Sequence, residues 1–354
     1  MSERINNTGN RGTIRWKLLT GASALALAGY LSSADMARAD TDGRPLVWIE
    51  VDGQFSLLSD DNEAFLPPFA LASPYDDAVK IATKKPPSEW DEGLKISFQP
   101  SDSDWLLSVG VKYGKNSRRK AGIQYAKNKG GGYQKYYTAY QSSKGSSSEK
   151  HLIVDFQAGK DFGLGMFGHE GSSVVSLGLR YAQFNSQSSL NILSATAAVP
   201  TSYNLFHDAF EAKRKFSGIG PSLTWDASAN VVGNQARGSL NFDWGVNGAL
   251  LFGRQRVSGH HQVTNEYQHG TAKYGPPKTT PYRTSASPLR DKSVIVPNLG
   301  GYAALSLNYA NAKISFGYRT DMFFGAIDGG IDKVKKEDRG FYGPFVSVSI
   351  GLGG

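Results

Sequence analysis

Residues 105–113, with the sequence WLLSVGVKY, carry the pattern that decides the fold. The odd-numbered positions are aromatic or aliphatic, and from position 108 onward they alternate with serine, glycine and lysine. A period of two is typical of a β-strand with one apolar and one polar face. Trp105 and Tyr113 are eight residues apart, or about 26 Å along an extended strand. That distance is close to the roughly 25 Å between the aromatic girdles of an outer-membrane barrel.

The same alternation recurs along the rest of the chain and predicts ten strands in all. Their polar faces are dominated by glycine, serine and asparagine with single charges, which suits a narrow, crowded barrel interior. The nine further segments are residues 47–57, 94–98, 152–162, 174–184, 216–226, 239–254, 297–309, 312–323 and 342–352.

The predicted connections alternate between long and short. The long ones include residues 59–89, 114–150, 185–215 and 256–293, and the intervening turns are about 2 to 11 residues long. Outer-membrane barrels have short periplasmic turns, long external loops and an even number of strands. A soluble β-sandwich also alternates but gives no reason for this regularity. We therefore predict an all-β protein: a transmembrane antiparallel β-barrel of about ten strands (range 8–12) with long external loops.

The N-terminal residues predict export. Four basic residues precede the apolar stretch Leu18–Leu31, and Ala37 and Ala39 form an A-x-A cleavage pattern. Together these features are typical of a secretory signal peptide, the alternative being a single membrane anchor. The predicted organisation is a cleaved signal peptide over residues 1–39 and an outer-membrane barrel over residues 40–354, located in a bacterial outer membrane.

Composition narrows the function classes. The 354-residue chain contains no cysteine, which excludes a disulfide scaffold, a Cys-ligated zinc site and a thiol nucleophile. Its net charge of +8 falls to about +5 once residues 1–39 are removed, so the basic balance is weak evidence for a nucleic-acid partner. The expected partners are membrane lipid, lipopolysaccharide and the barrel-assembly machinery during export, with no nucleic acid.

Charged residues on the polar faces are the candidate pore-lining residues. They comprise six acids and four bases and must be paired or hydrated inside a barrel. One interpretation is a network of ion pairs around a narrow water path; the alternative is that the pairs close the lumen. The ten residues are Glu50, Asp52, Lys95, Lys112, Asp155, Arg180, Asp226, Asp243, Arg319 and Asp321.

Two predicted loops have unusual compositions. Residues 114–150 contain nine lysines and arginines, one acid and five interleaved tyrosines, a mixture that suits anionic polysaccharide, lipid phosphates or a host surface, or simply a solvated loop. Residues 64–72 (AFLPPFALA) are apolar and would either constrict the barrel mouth or pack beneath the other loops.

An enzyme is the competing function class. Ten-stranded barrels include the omptin proteases, which activate water with Asp and His groups at the outer rim. His207-Asp208 and His260-His261 lie in predicted loops here, but no second pair of aspartates is placed opposite them. His260, His261 and His269 have no fixed spacing that presents them together to a metal. We expect no enzymatic activity, no metal and no cofactor.

Several segments resemble the Legionella-type major outer-membrane protein family of proteobacteria. They are residues 154–162 (VDFQAGKDF), 176–184 (SLGLRYAQF), 216–226 (FSGIGPSLTWD), 248–254 (GALLFGR) and 315–324 (SFGYRTDMFF), in the family's order. The resemblance implies a porin-like β-barrel that serves as a channel or surface protein, without catalytic residues. This chain lacks the cysteines with which the Legionella proteins cross-link, and it lacks a terminal aromatic residue.

The expected function is a porin-like channel for small solutes or ions. The alternative is a non-conducting surface barrel that serves adhesion or envelope integrity through its external loops. The sequence leaves open the solute, the ion selectivity, any ligand of the loops, and the choice between a monomer and a homo-oligomer.

Overall fold

A computed structural model describes residues 47–58, 89–100, 103–128, 137–162, 171–198, 202–234, 237–269, 278–287, 289–330 and 334–352. All regular secondary structure in these ranges is β. Among the described residues, no helix has the length and apolar character needed to cross a membrane. The strands are β1 (Val47–Leu58), β2 (Glu89–Phe98), β3 (Trp105–Asn128), β4 (Tyr137–Asp161), β5 (Gly171–Ala198), β6 (Ser202–Asn234), β7 (Gly238–His269), β8 (Lys278–Ala286), β9 (Leu289–Tyr309), β10 (Ala312–Asp328) and β11 (Lys336–Leu352).

Ten of these strands form a closed antiparallel barrel. Each pairs with its sequence neighbour, except that β7 pairs with β9, and β1 closes the barrel by pairing with β11 from Val47↔Leu352 onward. The eleventh strand, β8, pairs with β7 only over residues 261–269. The predicted all-β barrel of about ten strands is thereby confirmed.

The two ends of the barrel differ. We call the end that holds Val47 and Leu352 the inner end; the connections after β2, β4, β6 and β9 are at this end and are short. At the opposite, outer end, β3 to β7 continue well beyond the barrel wall.

The outer strands correct the loop prediction. Most of the segments 114–150, 185–215 and 256–293 continue as paired strands, with Tyr125 opposite Tyr140 and Ser189 opposite Glu211. Their sequences are mostly polar and lack the continuous apolar alternation on which the strand prediction relied. The signal peptide with Ala37 and Ala39, and the apolar segment 64–72, lie outside the described residues.

The barrel wall is apolar outside and polar inside, the reverse of a water-soluble sandwich. Trp105 and Tyr113, near the two ends of the wall segment of β3, are both exposed on the outer face. Outward-facing residues on other strands are more than half exposed, among them Leu177, Ile219, Phe252, Ile295, Leu307 and Phe316. These residues form the apolar belt.

Glycine lets neighbouring strands approach closely at Gly178. A Cβ atom added there would meet the backbone carbonyl oxygen of Phe156 on β4. At Gly110, in contrast, the nearest atoms to an added Cβ are 4.0 Å away.

We expect Gly178→Ala to lower the free energy of unfolding by about 1–3 kcal/mol, because the added methyl group forces β4 and β5 apart. Gly110→Ala, the matched control, should change it by about 0.5 kcal/mol or less. Urea unfolding of the refolded protein, followed by tryptophan fluorescence, measures both. Equal effects of the two substitutions would contradict the close approach.

Candidate functional site: the barrel lumen

The strand register gathers the predicted pore-lining residues inside the barrel. Nine of the ten line one cavity of about 150 Å³: Glu50, Asp52, Lys95, Lys112, Asp155, Arg180, Asp226, Asp243 and Arg319. The tenth, Asp321, accepts a 3.1 Å hydrogen bond from the lining residue Lys112. The alternation of each strand therefore identified residues that meet in space, although they come from eight different strands.

Arg180 on β5 makes the densest set of contacts in the lumen. Its guanidinium group donates two hydrogen bonds to Asp155 on β4, at 2.7 and 3.0 Å. It also donates to the side-chain oxygens of Asn247 on β7, at 2.7 Å, and Asn298 on β9. Asp321 on β10 lies 3.9 Å away. One buried side chain therefore connects five strands.

Three further ion pairs lie inside the barrel, and they differ in whether they span the lumen. Lys112 on β3 reaches Asp321 on β10, and Lys95 on β2 lies 3.9 Å from Asp226 on β6, so both pairs cross the lumen. Lys313 lies 2.5 Å from Asp243 nearer the inner end. Among the described side chains, no ion pair to Glu50 is found.

Arg319 on β10 combines an ion pair with aromatic contacts. It donates hydrogen bonds to both carboxylate oxygens of Asp52, each at 3.2 Å. Its guanidinium carbon lies 4.3 Å from the ring centre of Phe345 and 6.0 Å from that of Tyr302. Sequence reasoning missed both aromatic residues, although each lies on the inward face of its strand. Contacts of this kind fix the side-chain position without removing its charge.

Above the charged cavity, toward the outer end, the lumen is filled by aromatic side chains. Phe184 on β5 lies 4.9 Å from Phe323 on β10 and 5.8 Å from Phe341 on β11, measured between ring centres. Phe216 on β6 stacks against Phe184 at 5.7 Å. These four residues, the phenylalanine cluster, are buried with Leu251, Val296 and Ile327. The cluster therefore joins opposite walls of the barrel.

The outer end of β10 and the residues that follow it turn into the barrel mouth. Residues 324–330 form this inturned segment, in which Ala326, Ile327 and Asp328 are buried. Gly325 has a φ of +64°, and the β10–β11 register shifts between Phe323 and Ile327. Glycine tolerates this left-handed conformation, which lets the chain leave the wall.

Basic side chains hold the inturned segment from two other strands. Arg214 on β6 donates to the carbonyl oxygen of Gly329 at 3.2 Å. Arg290 on β9 donates to the carbonyl oxygen of Gly330 at 2.6 Å and to the Asp328 carboxylate at 2.9 Å. The inturned segment is therefore fixed by hydrogen bonds from residues of β6 and β9.

A further ion pair, fully buried, crosses the barrel at this level. Arg339 on β11 lies 2.6 Å from Glu149 on β4, and both side chains are buried. Sequence reasoning placed Glu149 in a loop and did not select Arg339. Both residues occupy inward-facing positions when the two-residue alternation of β4 and β11 is extended toward the outer end. That extension is the sequence signal that identifies them.

The histidines are dispersed. The ring of His207 hydrogen-bonds Asn191, that of His260 hydrogen-bonds Ser287, and that of His261 packs edge-on against Phe210. In the part of the chain that the structure describes, no three metal-ligating side chains come together.

No protein-family model matches the chain, and no curated protein matches it. Among solved structures it is similar to the transport unit of the autotransporter AIDA-I from Escherichia coli, with 7% identity and a TM-score of 0.25 over 94% of this chain and 97% of that one. It is also similar to a TodX deltaS2S3 mutant monoaromatic hydrocarbon channel, with 9% identity and a TM-score of 0.23 over 87% and 90% of the two chains. Both likenesses extend over most of the chain and are weak.

We expect Arg180→Ala to lower the free energy of unfolding by about 3–5 kcal/mol, because the half-buried Asp155 and the buried Asp321 both lose the guanidinium group beside them. Arg256→Ala is the matched control, since Arg256 pairs with Asp291 at the same 2.7 Å but on the exposed surface. Its loss should cost about 1 kcal/mol or less. Urea unfolding of both variants checks this, and a small effect of Arg180→Ala would contradict the central role of its contacts.

Proposed function

We propose that the protein is an outer-membrane, porin-like channel for small solutes or ions, and that the structure represents its closed form. The observation that carries this proposal is a cavity lined by charged residues inside a barrel whose outer wall is apolar. A barrel that served only as an anchor has no need of a charged interior, because apolar side chains fill such a space at lower desolvation cost.

The apolar belt supports a position in a lipid bilayer. Lipid-exposed strands must satisfy every backbone hydrogen bond internally, and a closed barrel does so. Both described chain ends lie at the inner end with the short connections, as in outer-membrane barrels whose termini face the periplasm. The predicted signal peptide over residues 1–39 and the resemblance to the Legionella-type family agree with export to that membrane.

In this proposal the inner half of the lumen is the ion-accessible part. Acidic and basic groups on facing walls offer an entering ion alternative partners, so a small ion can replace one member of a pair at a time. The 3.9 Å separation of Lys95 and Asp226 leaves room for such exchange. A ten-stranded barrel is narrow, which restricts the solutes to small ones.

The phenylalanine cluster and the inturned segment close the outer half of this path. Opening requires Ala326 and Ile327 to leave the lumen. The hydrogen bonds from Arg214 and Arg290 to the inturned segment oppose that movement. The left-handed Gly325 is the natural hinge, since the register shift already separates the segment from β11 there.

A non-conducting surface barrel is the second candidate function. The observation that favours it is the tight filling of the outer lumen, where the phenylalanine cluster and the Arg339–Glu149 pair both join opposite walls. In that case the charged interior stabilises the barrel, and the outer strands carry the function.

Single-channel conductance in a planar lipid bilayer distinguishes the two functions. We expect the refolded mature chain, from Asp40 onward, to give rare, discrete openings. Phe184→Ala combined with Phe341→Ala should raise the open probability at least about tenfold, since it removes the contacts of Phe184 with Phe323 and Phe341 across the lumen. Phe316→Ala combined with Leu307→Ala, on the outer face, is the control and should leave the openings unchanged.

The ion preference provides a second readout. Asp155→Asn removes one negative charge from the cavity and should shift the reversal potential in a salt gradient toward anion selectivity. The Phe316→Ala and Leu307→Ala control should not shift it. Folded protein that inserts into the bilayer but never conducts, even with the phenylalanine cluster reduced, would overturn the channel and favour the surface barrel.

A further inference from the structure

Basic residues on β3, β4, β6 and β7 lie near one another on the outer face of the barrel. One row of paired positions runs from Lys115 on β3 to Lys150 on β4, Asn185 on β5, Lys215 on β6 and Arg256 on β7. Lys213 and Arg254 are the next outward-facing residues on β6 and β7. We call these six cations the basic patch: Lys115, Lys150, Lys213, Lys215, Arg254 and Arg256, all exposed.

The basic patch has few negative partners. Lys213 lies 3.9 Å from Glu211, and Arg256 lies 2.7 Å from Asp291. The hydrogen bond from Arg256, with the positive charge of Arg254 nearby, holds the pKa of the Asp291 carboxyl below its usual value. Among the described side chains, no ion pair to the remaining four cations is found.

Like charges face each other twice in this row. Lys115 lies directly opposite Lys150, and Lys215 lies directly opposite Arg256. Cross-strand pairs of like charge destabilise a sheet, unless an anion between them compensates the repulsion. Asp291 already offsets the repulsion of the second pair through Arg256. Among the described side chains no ion pair to Lys115 or Lys150 is found, so an external anion would stabilise that pair.

The inner edge of the basic patch lies at the height expected for lipid phosphates. Lys115 is two residues beyond Tyr113, and Arg254 is two residues beyond Phe252, so both lie about 6–7 Å past the apolar belt. The amide side chains of Gln183 and Asn185 on β5 lie in the same area, between the cations of β4 and those of β6. Amides beside cations suit a ligand that has both phosphate and sugar groups.

The row of basic residues ends at an acidic residue on both sides. Past β7 the same row continues to Asp291 on β9. On β2 the residue paired with Tyr113 is the exposed Glu92. Non-specific attraction to anionic surfaces does not require basic residues to be grouped together, whereas binding of one ligand at a defined site does.

We propose that the basic patch binds the phosphate groups of an anionic glycolipid in the outer leaflet of the membrane. This inference rests on the proposed outer-membrane location but not on conduction. The glycolipid places its acyl chains along the apolar belt of β3 to β7 and its phosphates between the opposed cations. Binding removes the like-charge repulsion, so the lipid stabilises the outer half of these strands.

Native mass spectrometry of the refolded mature chain in detergent tests the site, with diphosphorylated lipid A as the probe. The variant is Lys150→Gln combined with Lys215→Gln, two residues outside the lumen. Lys160→Gln combined with Lys336→Gln is the control, because it removes the same charge from the inner end of β4 and from β11. We expect the variant to bind the probe about tenfold more weakly or worse and the control to bind it as the unaltered protein does.

Two further probes identify the source of the phosphate. Enzymatically dephosphorylated lipid A should bind weakly, and equally so to the unaltered protein and to the variant. Inorganic pyrophosphate at equal concentration should not displace diphosphorylated lipid A. Displacement by pyrophosphate, equal weakening in variant and control, or tight binding of the dephosphorylated lipid would each overturn the glycolipid site.

Conductance of the same preparations separates this proposal from the proposed function. If the protein conducts but the variant and the control bind lipid A equally well, the glycolipid site is overturned and the channel is not. A protein that never conducts, yet loses lipid A binding only in the variant, overturns the channel alone.

Discussion

Closure of the sheet by β1 and β11 is the constraint on which the interior depends. With ten strands the barrel is narrow, so side chains from opposite walls come within bonding distance. Lys112 can reach Asp321, and Phe184 can reach Phe341, only because the wall curves back on itself. Each inward-facing residue must therefore be compatible with residues several strands away, which explains the mixture of paired charges, small residues and aromatic side chains.

The alternation of side chains made the wall predictable. A period of two assigns every residue to one of two faces, and this alone placed Asp155, Arg180 and Arg319 on the lumen side. It does not supply the partners, because these depend on the diameter and the register of the closed barrel. Asp155 and Arg180 are direct cross-strand neighbours, but nothing local to Arg180 predicts its contact with Asn298.

The outer half of the lumen was less predictable for a different reason. Phe184, Phe216 and Phe323 lie at the ends of strands that sequence reasoning had identified, on the face that is otherwise polar. Aromatic residues that break the alternation in this way are a readable signal, although the sequence does not show that they meet. The sequences of the outer strand segments and of β8 show no continuous apolar alternation, and so period-based reasoning could not detect them.

Barrel closure also sets the order in which contacts can form. Val47 pairs with Leu352, so the first and last strands must meet after nearly the whole chain has been arranged. Bringing such distant segments together is entropically slow. Until that step, the Arg180–Asp155 pair can form between adjacent strands. Lys95, Lys112 and Arg339 remain too far from the acids with which they pair in the closed barrel. The incompletely closed sheet therefore exposes unpaired charges on its concave face, and closure of the barrel brings their partners within reach.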